Sequence, residues 1–208
     1  MAYLPREEIE KIGFASLGDH VFISDKVSIY NPSKISIGSY VRIDDFSLIS
    51  AGEGGIEIGN LNHIACYACL IGHAKITLED FVGISIKGSI LSSTHDPSGN
   101  TLGKLSLFDD INADGLTDLI SKPVTLEANS GIGAHTVVLP GVTIGKGSFI
   151  GPNSTVVEDL NPWGIFMGSP ARFIRKRSSK AYQKGMQLKR AEIKKRRSQN
   201  FNSQKDAS

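Results

Sequence analysis

The stretch IGAHTVVLPGVTIGKGSFIGPNSTVV, residues 132–157, sets Ile132, Val138, Ile144, Ile150 and Val156 at intervals of six. A helix repeats every 3.6 residues and a strand every two, so neither alone explains that period. The same spacing extends outward through Leu17, Ile23, Ile29 and Ile35, then Ile37, Ile43 and Ile49. It returns in Ile58, Ile64, Leu70 and Ile76, and in Leu78, Ile84 and Ile90. A longer repeat lies above it: ASLGDHVFI, ISIGSYVRI, IEIGNLNHI, ITLEDFVGI, VTLEANSGI and VTIGKGSFI begin at 15, 35, 56, 76, 124 and 142. Four of the five steps are 18 to 21 residues, three hexads with or without a small corner insertion. The physical reading is a solenoid of triangular coils, each hexad supplying one short strand and one corner, stacked at the strand spacing of ~4.8 Å.

In such a coil the aliphatic residue points inward, and the position four later must also fit a narrow interior. Small residues occupy many of those positions: Ser47, Ala68, Ala74, Thr136, Ser148 and Ser154. Corner turns favour Gly, Asn and Asp, which tolerate positive φ, and this accounts for part of the 22 glycines.

The remaining step, from 76 to 124, is 48 residues long and leaves about thirty beyond one coil. Ser92 to His95 are expected to complete the fourth coil, with an inserted loop over 96–123. A long excursion from a regular scaffold is more often a functional loop than an accident. Within it, Asp110, Asn112, Asp114, Gly115 and Asp118 fall on positions 1, 3, 5, 6 and 9 of a calcium-binding loop, but position 12 is Ser121 rather than a bidentate acid. A hydrated turn is the better reading, and no metal is expected.

A chain of 208 residues with 40% hydrophobic content can bury one sizeable core. The N-terminus has no apolar stretch of signal-peptide length and no later run reaches a membrane span, so a soluble cytoplasmic protein is expected. Cys66 and Cys69, in CYAC, lack the context of a redox pair or a zinc site and read as reduced, packed thiols. Residues 172–197 hold twelve Lys or Arg against Glu192 alone, whereas residues 1–171 hold ten basic and nineteen acidic groups. Without an aromatic-interleaved basic surface, that run reads as a solvated helix face rather than a nucleic-acid site.

The hexads, the STHD before the long loop, and VLPGVTIGKGSFIGPNSTVV followed by GIFMGSPARFIRKR together resemble the hexapeptide-repeat acyltransferase family, most nearly the sugar acetyltransferases of bacterial surface polysaccharide synthesis. The resemblance covers residues 15 to about 177. It implies an all-β, left-handed parallel β-helix of about six coils, against the usual right-handed crossover rule. It also implies a homotrimer with sites between subunits and acetyl-CoA as the donor. Residues 1–14 read as an N-terminal helical cap, with Pro5, Glu7 and Glu8 at its start and Gly13 past its end. Residues 15–161 form the β-helix, 162–198 a C-terminal extension and basic helix, and 199–208 a disordered tail.

Carried over residue by residue, the family's catalytic histidine falls on His95, with the role of general base, since imidazole is the side chain suited to accept a proton at neutral pH. His73 and Asp96 are candidate acceptor contacts. His20, His63, His73 and His135 fall at scattered hexad positions with no His-x₃₋₄-His pair, which disfavours the zinc carbonic anhydrase branch of this fold. The pantetheine arm of the donor would run past Gly133 and Ala134, where a backbone N–H can stabilise an oxyanion, and past Gly151 and Pro152 one coil later. Arg172 and Lys176, with Arg175 and Arg177, would meet the phosphates of coenzyme A. Two positions depart from the family: Gly131, where many members carry Trp, and Ala65, aligned with the Asn of the galactoside and maltose acetyltransferases. The expected activity is N-acetylation of a nucleotide-linked amino-deoxy sugar for O-antigen or a similar polysaccharide. O-acetylation of a sugar hydroxyl and a non-catalytic assembly module are the alternatives.

Overall fold

Each hexad folds as a strand of two to four residues and a corner, and three strands close one turn of a left-handed β-helix. The computed structural model describes residues 2–95, 98, 119–185 and 187. Among them, three parallel faces run the length of the prism. The first begins with Ser16–Leu17, the second with Phe22–Ile23 and the third with Ser28–Tyr30. We call the corner between the first and second faces the first corner, that between the second and third the second, and the last the third.

The register explains the period of six. On the first face Leu17, Ile37, Ile58, Leu78, Leu126 and Ile144 stand one above another. The second face stacks Ile23, Ile43, Ile64, Ile84, Ile132, Ile150 and Phe166. The third stacks Ile29, Ile49, Leu70, Ile90, Val138 and Val156. Nearly all are buried, most to 1% exposure or less. The small interior positions Ser47, Ala68, Thr136, Ser148 and Ser154 are buried as expected, and their hydroxyls find corner carbonyls: Thr136 and Ser154 both donate to Gly151 O, at 2.9 and 2.8 Å. Ala74 differs, lying half exposed at the third corner.

The corners hold a further difference. Positive φ occurs not only at Gly and Asn but at His20, Tyr40, Phe46, Leu61, Tyr67, Phe81 and Trp163. In this conformation side chains of successive coils overlie one another: His20 stacks on Tyr40 at 4.7 Å and Phe46 on Tyr67 at 5.1 Å. Ring stacking and a backbone hydrogen bond to the coil below, such as Tyr40 N–H to Asp19 O, offset the left-handed strain.

At the base, Arg6–Lys11 is the short helix the sequence suggested, with Ile9 buried against the open core. At the top, Gly164–Met167 adds a parallel strand to the second face, and Arg172–Lys176 pairs back on it antiparallel. Residues 162–177 thus continue the coiled sheet instead of leaving it. Residues 178–208 form a separate unit, of which 180–185 are helical. Gln187 is helical as well, and the other residues of the expected basic helix beyond 185 and the tail 199–208 lie outside the described residues.

One charged cluster interrupts the second face. Asp44, 4% exposed, accepts from Arg42 Nε and Nη2, both at 3.0 Å, from His63 Nε2 at 2.8 Å and from Tyr3 Oη at 3.4 Å. Burial pushes its carboxyl up, but the hydrogen bonds and charges of His63 and Arg42 together outweigh that and hold it below the ordinary carboxylate value.

Two outcomes follow from this packing. Ile84→Ala, which empties one level of the second-face stack, should cost about 2–5 kcal/mol of unfolding free energy, read by denaturant melts followed by circular dichroism. Because Asp44 titrates lower in the folded chain than in the unfolded one, its contribution is complete above the unfolded-chain value of about 4 and fades as pH falls through the folded one. The melting-temperature gap between wild type and Asp44→Asn should therefore narrow between pH 7 and pH 3.

Candidate active site

The excursion is rooted one step earlier than the sequence suggested. Ser92 is fully buried, its hydroxyl donates to Ala74 O at 2.6 Å, and its carbonyl accepts from Lys122 N–H at 3.0 Å, which closes the coil there. Ser93–His95 has already left the coil and pairs antiparallel with Leu119–Ser121, forming a two-stranded ribbon at the third corner. His95 stands opposite Leu119 on this ribbon and is exposed. His73 lies one coil below, and its backbone N–H donates to Ser93 Oγ at 3.2 Å, placing it at the foot of the ribbon. Asp96 and residues 110–118 of the calcium-like pattern lie outside the described residues. Among those described, no cluster of metal-ligating side chains occurs.

The expected donor residues occupy the second corner. Gly133 and Gly151 are adjacent steps of one column, as are Ala134 and Pro152. A Cβ on Gly133 would lie 2.6 Å from the backbone nitrogen of Pro152, and one on Gly151 would strike the Met167 side chain. Close stacking of coils is thus a sufficient reason for both glycines, apart from any ligand. The Gly133 N–H is already committed to Ile150 O at 2.7 Å, so of the two candidate oxyanion donors Ala134 is the better placed.

The basic strand divides. Arg172, Arg175 and Lys176 are exposed, with Arg172 ion-paired to Glu158. Arg177 instead turns inward, donating to the carbonyls of Asn129 and Gly147 at 2.9 and 3.0 Å beneath the Phe149 ring, so it is a packing residue at the first corner.

His95 and Ala134 therefore sit at opposite ends of the third face, His95 after the strand Ser89–Leu91 and Ala134 before Val137–Val138 in the coil above. About five residues of extended chain separate those ends, roughly 16 Å. Sequence reasoning missed the Arg42, Asp44 and His63 cluster, because its members come from two coils and His63 read as one more scattered histidine. Writing the coils in register, with Arg42 over His63, is the signal that finds it.

Comparison with known proteins agrees with this architecture. Residues 123–157 match the family model described as bacterial transferase hexapeptide (six repeats). Over 180 residues the chain is 41% identical to a dTDP-4-amino-4,6-dideoxy-D-glucose acyltransferase of Escherichia coli, covering 86% of this chain and 91% of the relative. Among solved structures it is similar to the N-acyltransferase AntD of Bacillus cereus. A variant of AntD in complex with dTDP-4-amino-4,6-dideoxyglucose and coenzyme A superposes with a TM-score of 0.84 at 36% identity, over 91% of this chain and 98% of that one. AntD with dTDP and 3-hydroxybutyryl-CoA gives 0.82 at 36% identity, over 92% and 98%. With its hexapeptide repeats and a relative 41% identical that it covers to 91%, the chain belongs to the hexapeptide-repeat acyltransferases.

Proposed function

We propose that the protein transfers an acyl group, acetyl in the simplest case, from coenzyme A to the amine of a nucleotide-linked amino-deoxy sugar. The observation that carries this reading is the near full-length similarity to an acyltransferase named for such a sugar, together with the AntD complex that holds that sugar and coenzyme A at once. The product would serve synthesis of a surface polysaccharide such as O-antigen, from the cytoplasmic side.

In this reaction the amine attacks the thioester carbonyl, the carbonyl oxygen takes up negative charge, and the C–S bond breaks as the amide forms. His95 is assigned the proton that the amine loses, which leaves with the coenzyme A thiol. The N–H of Ala134 is assigned to the oxyanion, and Lys176 with Arg172 to the phosphates of the coenzyme. His73 and Asp96 are assigned to the acceptor. His95 and Ala134 lie at opposite ends of one chain's third face, so the assignment needs the second corner of one chain to meet the third corner of another. Such a corner-to-corner contact is heterologous and must close on itself, and the assignment is a ring of three, a homotrimer.

His95→Asn should lower kcat by about 10²- to 10⁴-fold with acetyl-CoA affinity and oligomeric state unchanged, measured by steady-state kinetics, calorimetry and light scattering. Near-full activity in that variant would remove the general-base role. Lys176→Ala should raise the KM for acetyl-CoA and leave kcat near wild type, because phosphate contacts remote from the thioester are present in ground and transition states alike.

A further inference from the structure

Gly83 is a glycine that the fold does not ask for. It lies in a two-residue strand, Gly83–Ile84, pointing outward from the second face, its φ is not positive, and a Cβ there would meet no atom of the described residues within 4 Å. Glycine in a strand weakens it, and where neither a turn nor packing explains it, close approach by a ligand or another backbone does. Gly131 stands directly above in register but is buried, and a Cβ there would press on Gly83 O at 3.1 Å and the Phe149 ring at 3.4 Å, so packing accounts for that glycine and not for Gly83. The outward column therefore reads Phe22, Arg42, His63, Gly83, Gly131, Phe149, with open backbone at the Gly83 level between His63 and the Phe149 ring that lies over Gly131.

Immediately below that strip, Asp44 organises two donors, the Arg42 guanidinium and the His63 ring. An ionised carboxylate only accepts, so His63 Nε2 carries the proton it gives to Asp44. The 2.8 Å approach of Arg42 Nη2 to His63 Nε2 is then two donors converging on one oxygen. With Arg42, His63 and Tyr3 all directed at it, the Asp44 carboxylate has little acceptor capacity left. The Arg42 and His63 side chains nevertheless remain on the surface, 49% and 46% exposed. A buried anion thus fixes the orientation of two donor groups without using up their outward edges, which is how a site is preorganised for an oxyanion.

We infer that the bare strip at Gly83 seats the acceptor's sugar ring, with its diphosphate on His63 and Arg42. This deepens the nucleotide-sugar reading given above and rests on it. Coil spacing supplies the ruler. From the level of Ala134 to that of His63 is two coils, ~10 Å along the axis, and Arg42, rooted one coil further, brings its Nη2 to within 2.8 Å of His63 Nε2 and so to the same level. From a ring amine opposite the glycosidic carbon, through the ring and glycosidic oxygen, the two phosphorus atoms follow at about 7 and 10 Å for single bonds of ~1.5 Å. An amine at the acyl carbon thus brings the diphosphate to His63 and Arg42, where the planar guanidinium takes phosphate oxygens in pairs. Phe22, half exposed and edge-packed on Tyr3 at 5.7 Å, is the next level down and offers a ring face to the base.

The test uses the 208-residue chain with dTDP, inorganic phosphate and dTDP-4-amino-4,6-dideoxyglucose. Gly83→Val puts a strand-favouring side chain into open space, so melting temperature, oligomeric state and acetyl-CoA KM should stay at wild-type values or better, while the acceptor KM rises at least tenfold. His63→Gln, whose amide can still donate to Asp44, should weaken dTDP binding at least tenfold by calorimetry with donor affinity unchanged. Wild-type protein that fails to acylate the sugar would refute the nucleotide-sugar reading itself. An active wild type whose Gly83→Val and His63→Gln variants keep their acceptor KM and dTDP affinity would refute this seat alone. So would inorganic phosphate binding as tightly as dTDP, or a Gly83→Val chain that loses its oligomeric state, which would assign the strip to a contact between chains.

Discussion

Every level of this molecule depends on coils meeting at one spacing. A β-helix has no long-range strand pairing other than the one between adjacent turns. The backbone hydrogen bonds and the inward aliphatic stacks therefore have to close at the same distance. The three columns of Ile, Leu and Val meet that condition together, and the register carries through from Leu17 to Ile144 on the first face and from Ile23 to Phe166 on the second. Where a side chain would hold two coils apart, glycine appears, as at Gly133 under Pro152.

That dependence explains which parts were legible in the sequence. The hexads report an inward residue every sixth position, and inward residues are chosen by packing alone, so the fold and the coil count could be read directly. Corner and outward positions are chosen by neighbours one coil away, 20 or 21 residues distant in sequence for the early coils. Thus Tyr40 and Phe46 at positive φ contradicted a simple turn expectation, and Arg42 gained its meaning only when set over His63. The strand Gly164–Met167 escaped notice for a related reason: it has one inward Phe166 in place of an aliphatic residue, and no second hexad follows to declare the period.

The excursion shows the same limit from the other side. Its presence was evident from a single overlong step, and its first residues from STHD. Its root was not, because the choice between Ser92 and His95 as the last residue of the coil is made by Ala74 O and Lys122 N–H, groups with no side-chain signature. A ribbon rooted at Ser93 carries His95 clear of the coil, whereas a histidine ending the coil would have been held against the prism. The difference decides whether the residue serves its own chain's surface or reaches toward a neighbouring one.

The antiparallel strand at the top has a consequence for how the chain behaves in a crowded solution. A stack of parallel turns ends in an unsatisfied edge, and an identical turn from another molecule is the natural thing to add there, without limit. Arg172–Lys176 reverses direction on the last parallel strand, so the next surface a stranger meets no longer matches the repeat beneath it, and three cations line that edge. With Arg6–Lys11 covering the opposite end, the prism has a defined length. A sequence built from near-identical repeats is thereby kept from propagating into a fibre.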